Sequence, residues 1–355
     1  MTQVSQAVGD EDGGGEPEAL GLAEGPGFPG SAQTVTRILP PADRARGFKF
    51  DDPGAALFRM AVFRLSQNVI RITFSITHLL LDGWSNIEFW NRLLELYAQL
   101  REGRPADEVL SLGTNTFKEA VALEQEILLE EAPARFWRAE AAAMPPAIIL
   151  PRDGKECGWV SREYDLDPAL IASLHRRAAA LEISLSAALL SAFIDAAAQI
   201  VGGDGLPIGL LTSGRSERLS DPLHALGLFW NIVPFVCPRN PDKALQAQRV
   251  YRKISAIQPW ARYPLSQIGV AAPLQASFCF VRFHNQQGRG AKSVVRRYYH
   301  DVFHFPLNVL VAASPGTGEG AAQVGMQLRI VSDKRCGGII DPDHVMNVYM
   351  SMLKR

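Results

Sequence analysis

Several things are missing from this 355-residue chain, and each absence removes a class of function. The four cysteines, Cys157, Cys237, Cys279 and Cys336, are far apart and form no CxxC pair. Neither zinc-type spacing nor a disulfide framework is available, and the thiols read as reduced, most of them in the core. There is no surplus of positive charge: 36 basic residues face 37 acidic ones, for a net charge of -1. A nucleic-acid partner would demand a basic surplus, so none is expected. No apolar run is long enough for a membrane span; the longest helical one, Leu185 to Val201, carries Asp195 and Gln199. The N-terminus has no basic start followed by an apolar stretch, so no secretory leader is read and a cytoplasmic location is expected. There is no GxxxxGK[ST] loop for nucleotide phosphates and no short internal repeat.

What is present is an ordinary globular balance, 47% hydrophobic and 21% charged. The length exceeds what one core usually serves, so two lobes are expected. Residues 1–32 include the acidic, Gly-rich run Gly9 to Glu18 and read as a disordered tail or linker. Gln33–Leu39 reads as a short strand. Ala56–Leu65 and Val69–Ile76 read as a hairpin, the first strand apolar enough to be covered on both faces. Ser85 and Glu88 form an S-x-x-E capping box at the start of a helix striped by Ile87, Trp90, Leu93, Leu94, Tyr97 and Leu100 or Ala98. A second helical region, Thr116–Met144, is broken near Pro133. Pro145-Pro146 and Leu150 to Gly154 mark a crossover, which places a lobe boundary between 33–152 and 153–355.

In the second lobe, strands are expected at Val160–Leu166, Leu206–Thr212, Leu226–Val236, Gln275–Phe283, Phe305–Ala313 and Gln323–Ile330. Helices are expected after the caps Asp167, Ser184 and Asp341, and over Ala244–Ile257. Strands and helices alternate throughout, which implies an α/β protein with a mixed sheet in each lobe.

The stretch that could carry chemistry runs from Thr77 to Ser85: Thr-His-Leu-Leu-Leu-Asp-Gly-Trp-Ser. A strand leads in and a helix leads out. His78 sits at the chain reversal, and a neutral imidazole is the usual proton acceptor near pH 7. A lone histidine is more often structural than catalytic; its place at a strand end before a capped helix adds weight to the second role. Gly83 suits a tight turn. Asp82 reads as structural, holding the turn through nearby amides or pairing with a distant arginine. The other histidines, His175, His224, His284, His300, His304 and His344, are scattered. Only His300 and His304 are four apart, with no third ligand in view, so no metal site is read. Arg289, Lys292, Arg296 and Arg297 form a local basic cluster, read as a solvated loop; the other reading is a contact to an acidic protein or a phosphate.

The Thr77–Ser85 stretch resembles the HHxxxDG signature of the condensation domains of nonribosomal peptide synthetases, within a wider superfamily of acyltransferases. Further matches follow in family order. Phe50-Asp51 to Leu65 resembles the lead-in segment, and Phe117-Lys118-Glu119-Ala120 a helix motif without its Tyr and Asp. Phe136-Trp137 and Leu150-Pro151-Arg152-Asp153 resemble the crossover. Ser213-Gly214-Arg215 matches an SGR loop, and Leu226 to Pro234 a latch motif. Arg262 to Ile268 and His304 to Val309 complete the series. The resemblance covers roughly residues 45–355.

It implies two chloramphenicol-acetyltransferase-like lobes in a V, with carrier proteins delivering thioester-bound substrates to a tunnel. It implies amide formation between an acyl or peptidyl thioester and an amine. An ester-forming relative and a non-catalytic carrier-binding remnant are the alternatives. His78 falls on the catalytic histidine, Asp82 and Gly83 on the motif's aspartate and glycine, and Thr77 where the family has its first histidine. Trp84, Ser85, Arg215 and Asn231 would line or support the tunnel, Arg215 as a partner for Asp82. No cofactor or metal is implied; phosphopantetheine arms belong to the carrier proteins. The other partners would be adjacent synthetase domains. The family's opening S-x-A-Q-x-R/L-W and RHExLRT motifs are not found, so the first lobe is expected to lack about a third to a half of its length.

Overall fold

The computed structural model describes residues 2–9, 48–52, 54–64, 67, 69–105, 116–144, 148–203, 206–269, 273–282, 294–301, 305–314 and 325–355. The strand expected at Gln33–Leu39, together with His284, Arg289, Lys292 and His304, lies outside them. In chain order the elements are strands β1 (Thr2–Gly9), β2 (Phe58–Arg64) and β3 (Val69–Ile76), then helices α1 (Gly83–Arg101), α2 (Thr116–Leu129) and α3 (Glu131–Ala142). Next come β4 (Trp159–Asp165), α4 (Pro168–Ala180), α5 (Leu185–Val201), β5 (Ile208–Ser213), β6 (Trp230–Phe235), α6 (Lys243–Ile257) and the short α7 (Leu265–Ile268). The chain closes with β7 (Ala276–Arg282), β8 (Val294–Asp301), β9 (Leu307–Ser314), β10 (Gly325–Asp333) and α8 (Pro342–Leu353).

Two compact units emerge, and neither is a continuous stretch of chain. The first draws on Met1–Phe117, Leu223–Leu228 and His284–Val302; the second on Lys118–Pro222, Phe229–Phe283 and Phe303–Arg355. The boundary expected at residue 152 therefore moves to 117. The Pro-rich crossover does punctuate the chain, but the helices before it already belong to the second core. Trp137 of α3 is fully buried there, and its indole N–H donates to Trp260 O at 3.0 Å. The helix break falls at Glu130, which puts Pro133 in the first turn of α3, where its missing N–H costs nothing.

The first unit is a four-stranded sheet in the order β2-β3-β1-β8, every pairing antiparallel. β1 corrects the reading of residues 1–32 as disordered throughout. Thr2 to Val8 has strand-forming residues, and the acidic Gly-rich composition begins only at Gly9. β8 corrects the reading of Arg296 and Arg297 as part of a loop. Its residues come in like pairs, Val-Val-Arg-Arg-Tyr-Tyr, which hides the period-two signal of a strand.

α1 covers one face of this sheet. Ile72, Phe74 and Ile76 of β3 pack on Trp90 and Leu94; the Phe74 ring stacks on Phe89 at 4.7 Å and meets Trp90 edge-on at 5.9 Å. A helix about 10–12 Å across shields roughly two strands set about 4.8 Å apart. β2, at the sheet edge, is consequently exposed rather than covered on both faces. Phe58, Met60 and Val62 lie opposite Ile76, Phe74 and Ile72, yet Phe58 is 53% exposed and Val62 59%. Tyr97 and Leu100, at the far end of the α1 stripe, are exposed as well.

The second unit holds a six-stranded sheet, β4-β10-β9-β7-β5-β6. Its β5–β7 and β7–β9 pairs are parallel and the others antiparallel, so the mixed character expected of an α/β fold resides here. Phe193 of α5 stacks on Phe278 of β7, and Tyr349 of α8 donates to Leu189 O at 3.0 Å. Asp195, a charge inside the apolar helix α5, is buried but paired with Lys243 at 2.9 Å and Arg239 at 3.4 Å. The expected caps hold: Asp167 accepts from Ala169 N, Ser184 from Ala187 N, and Asp341 from His344 N.

Among the described residues no single helix is long and apolar enough to cross a membrane.

Candidate active site

The Thr77–Ser85 stretch occupies the junction of β3 and α1 in the first unit. Where β3 ends, Leu80 N bonds back to Thr77 O at 3.1 Å, and the Thr77 hydroxyl accepts from Leu79 N at 3.3 Å. Thr77 is buried and works on this turn. His78 is half-buried, and its Nδ1 lies 3.0 Å from Leu81 O. A carbonyl oxygen only accepts, so Nδ1 must carry the hydrogen. In the neutral ring the lone pair then belongs to Nε2. In the neutral ring this contact favours the Nδ1–H tautomer.

The helix begins three residues earlier than the capping-box pattern predicts. Asp82, not Ser85, is the N-cap: its Oδ1 accepts from Ser85 N at 2.7 Å, and Gly83 is the first helical residue. Asp82 wins because a carboxylate is a stronger acceptor than a hydroxyl and its charge suits the positive end of α1. Glu88 pairs with Arg92 at 2.9 Å.

Ser85 is left for another task. Its fully buried hydroxyl donates to Gly227 O at 2.7 Å and accepts from Gly227 N at 3.1 Å. Gly227 O also accepts from Asp82 N at 3.0 Å. The rest of the segment 223–228 is tied to the same helix: Trp84 Nε1 donates to Leu223 O at 2.8 Å, and Arg92 Nη2 to His224 O at 2.5 Å. A side chain at 227 would sit 2.2 Å from the Phe117 ring, so only glycine fits. Sequence reasoning placed Leu226–Leu228 at the start of a strand and missed this docking.

Arg215 and Asn231 fall in the second unit. Arg215 Nη1 donates to Pro222 O at 2.7 Å, and its guanidinium lies 4.2 Å over the Phe229 ring. Gly214 is required in this loop, since a Cβ there would lie 2.0 Å from Phe229 O. Farther along, Ser220 gives both its N–H and its hydroxyl to Glu119, which lowers that carboxyl's pKa, the backbone N–H contributing most. Both amide hydrogens of Asn231 are used within the fold, on Ala261 O at 2.9 Å and Tyr263 O at 2.7 Å. That assigns its donors to holding β6.

Among the described residues no three His, Cys, Asp or Glu side chains are grouped to hold a metal ion. Cys279 and Cys336 are buried, and burial pushes the Cys279 thiol up to about 12. Cys157 is exposed and Cys237 partly so.

The family model of the condensation domain matches residues 40–289, well over half of the chain. The chain belongs to the condensation domain family. Among curated relatives, the AMB antimetabolite synthetase AmbE of Pseudomonas aeruginosa is 28% identical over 248 residues, 68% of this chain but 12% of that protein. Among solved structures, the first condensation domain of the calcium-dependent antibiotic synthetase, in complex with a substrate analogue, superposes with a TM-score of 0.71. The two are 18% identical over 92% of this chain and 75% of that one. VibH, a condensation enzyme of nonribosomal peptide synthesis, gives a TM-score of 0.69 at 16% identity, covering 100% of this chain and 91% of its own. This condensation-family chain therefore spans a small part of the synthetase it matches, and its likeness to the solved domains is one of fold.

Proposed function

We propose that this condensation domain joins an acyl or peptidyl thioester to an amine, forming an amide and releasing a thiol. The observation that carries the reading is the bond from His78 Nδ1 to Leu81 O, which turns the basic lone pair onto Nε2. The amine nitrogen attacks the thioester carbonyl, Nε2 takes the amine proton, and the C–S bond breaks as the tetrahedral intermediate collapses. The departing sulfur receives the proton. Asp82 fixes the loop beside the imidazole by capping α1, whose first residue is Gly83, and Trp84 and Ser85 anchor it. The chemistry asks for no metal or organic cofactor on this chain. Both substrates would arrive on phosphopantetheine arms of carrier proteins, in the company of adjacent synthetase domains.

A second reading, a carrier-binding domain without turnover, is favoured by one observation: the uncovered apolar row Phe58, Met60 and Val62 beside the site's own sheet. Reconstitution with loaded donor and acceptor carriers decides between them. Amide product from the wild type, lost in His78→Ala by about 10²-fold or more, is expected. Undiminished product in His78→Ala removes the histidine from the chemistry. A folded wild type that binds both carriers and yields nothing establishes the second reading. Ester product from a hydroxyl-bearing acceptor, with none from the amine, would move the chain to the alcohol-using branch.

A further inference from the structure

A continuous path of hydrogen bonds links His78 to a residue 149 positions away in sequence. His78 Nδ1 donates to Leu81 O at 3.0 Å. The same peptide group carries the N–H of Asp82, which donates to Gly227 O at 3.0 Å. Gly227 O also takes the Ser85 hydroxyl at 2.7 Å, and Gly227 N returns to that hydroxyl at 3.1 Å. Because the amide between residues 81 and 82 is planar, its C=O and N–H point in opposite, fixed directions. Where Gly227 sits therefore decides where Leu81 O points. An amide whose N–H is already bonded also has a more polarised carbonyl, which strengthens its grip on the imidazole N–H.

We infer that Ser85 and Gly227 are positioning residues for His78, holding the Leu81–Asp82 peptide so that Leu81 O selects the Nδ1–H tautomer and aims Nε2. Two features separate this from ordinary packing. The helix cap is complete without the Ser85 hydroxyl, since Asp82 supplies it, so that hydroxyl serves Gly227. Gly227 in turn is pressed into one place by Phe117, which leaves no room for any Cβ. The inference rests on the proposed function only for the use made of Nε2; the choice of tautomer stands apart from it.

The test uses the full chain with its histidines labelled with nitrogen-15 and reads the tautomer of each ring from its two-bond proton–nitrogen correlations. His78 is assigned by its loss in His78→Ala. The wild type is expected to show His78 protonated at Nδ1, the reverse of the tautomer that prevails in free histidine. In Ser85→Ala, folded by circular dichroism, the ratio of Nδ1–H to Nε2–H should fall roughly tenfold, the effect of one lost hydrogen bond. With loaded carriers, kcat should fall with it while the acceptor KM stays put. An Nε2-protonated His78 in the wild type overturns the inference, as does a folded Ser85→Ala with the wild-type ratio. If Ser85→Ala does not fold, Gly227→Ala probes the path from its other end, because its Cβ meets the Phe117 ring and displaces residue 227. The ratio falls there too, and an unchanged ratio is equally fatal. A wild type with the expected tautomer but no amide product would count against the proposed function alone.

Discussion

Two contacts at Gly227, a ring on one side and a serine hydroxyl on the other, show how narrow the tolerance at this site is. A methyl group added at 227 would overlap the Phe117 ring, and neither the helix start nor the segment 223–228 is free to yield. Gly227→Ala should therefore destabilise the protein by about 1–3 kcal/mol, the usual cost of overpacking a well-filled site. The cost should shrink in a Phe117→Ala background. Denaturant titration of the two single variants and the double variant measures this as a coupling energy. Strict additivity would mean that the ring is not what demands glycine. At this scale the sequence was informative about identity and less so about function. The motif pointed to His78 and Asp82, but not to the serine beside them as the anchor for a distant glycine. A pattern of residue types carries no record of which backbone groups arrive from 142 positions away.

At the scale of elements, the burial of β2 and β3 sets a contrast that can be measured. Phe74 is buried and stacked on Phe89, whereas its neighbour on the same face, Val62, is largely exposed. Phe74→Ala should cost about 3–5 kcal/mol in chemical denaturation. Val62→Lys should change stability by less than about 0.5 kcal/mol and reduce self-association, because a charge on an exposed apolar edge blocks strand pairing between chains. A large loss of stability in Val62→Lys would show that the edge is covered after all. β2 also marks where sequence reading went astray. Its run of apolar residues looks like a strand buried on both faces, and only the count of covering helices reveals otherwise. The strands of the second unit were legible where strong signals bound them, as Asp167-Pro168 does after β4. β1 and β8 were not, since β1 was averaged into an acidic tail and β8 lacks alternation. Their existence depends on pairing with each other, a long-range fact.

At the scale of the whole molecule, the chain's path constrains how the first unit can form. Its sheet is completed by β8, and its helix start is anchored by residues 223–228, both encoded after most of the second unit. A fragment ending at residue 222 keeps β1, β2, β3 and α1 but loses the partners of Asp82 N, the Ser85 hydroxyl, Trp84 Nε1 and Arg92. Five hydrogen bonds, at about 0.5–1.5 kcal/mol each, already approach the roughly 5–15 kcal/mol that separates folded domains from unfolded chains. β1 would also lose one of its two neighbours. The fragment 1–222 is therefore expected to show no protection of the α1 amides in hydrogen exchange, while the full chain protects Asn86 to Leu94. Adding the complementary fragment 223–355 should restore that protection. Native-like protection in 1–222 alone would mean that β3 and α1 are self-sufficient, and that the late segments decorate the site rather than build it.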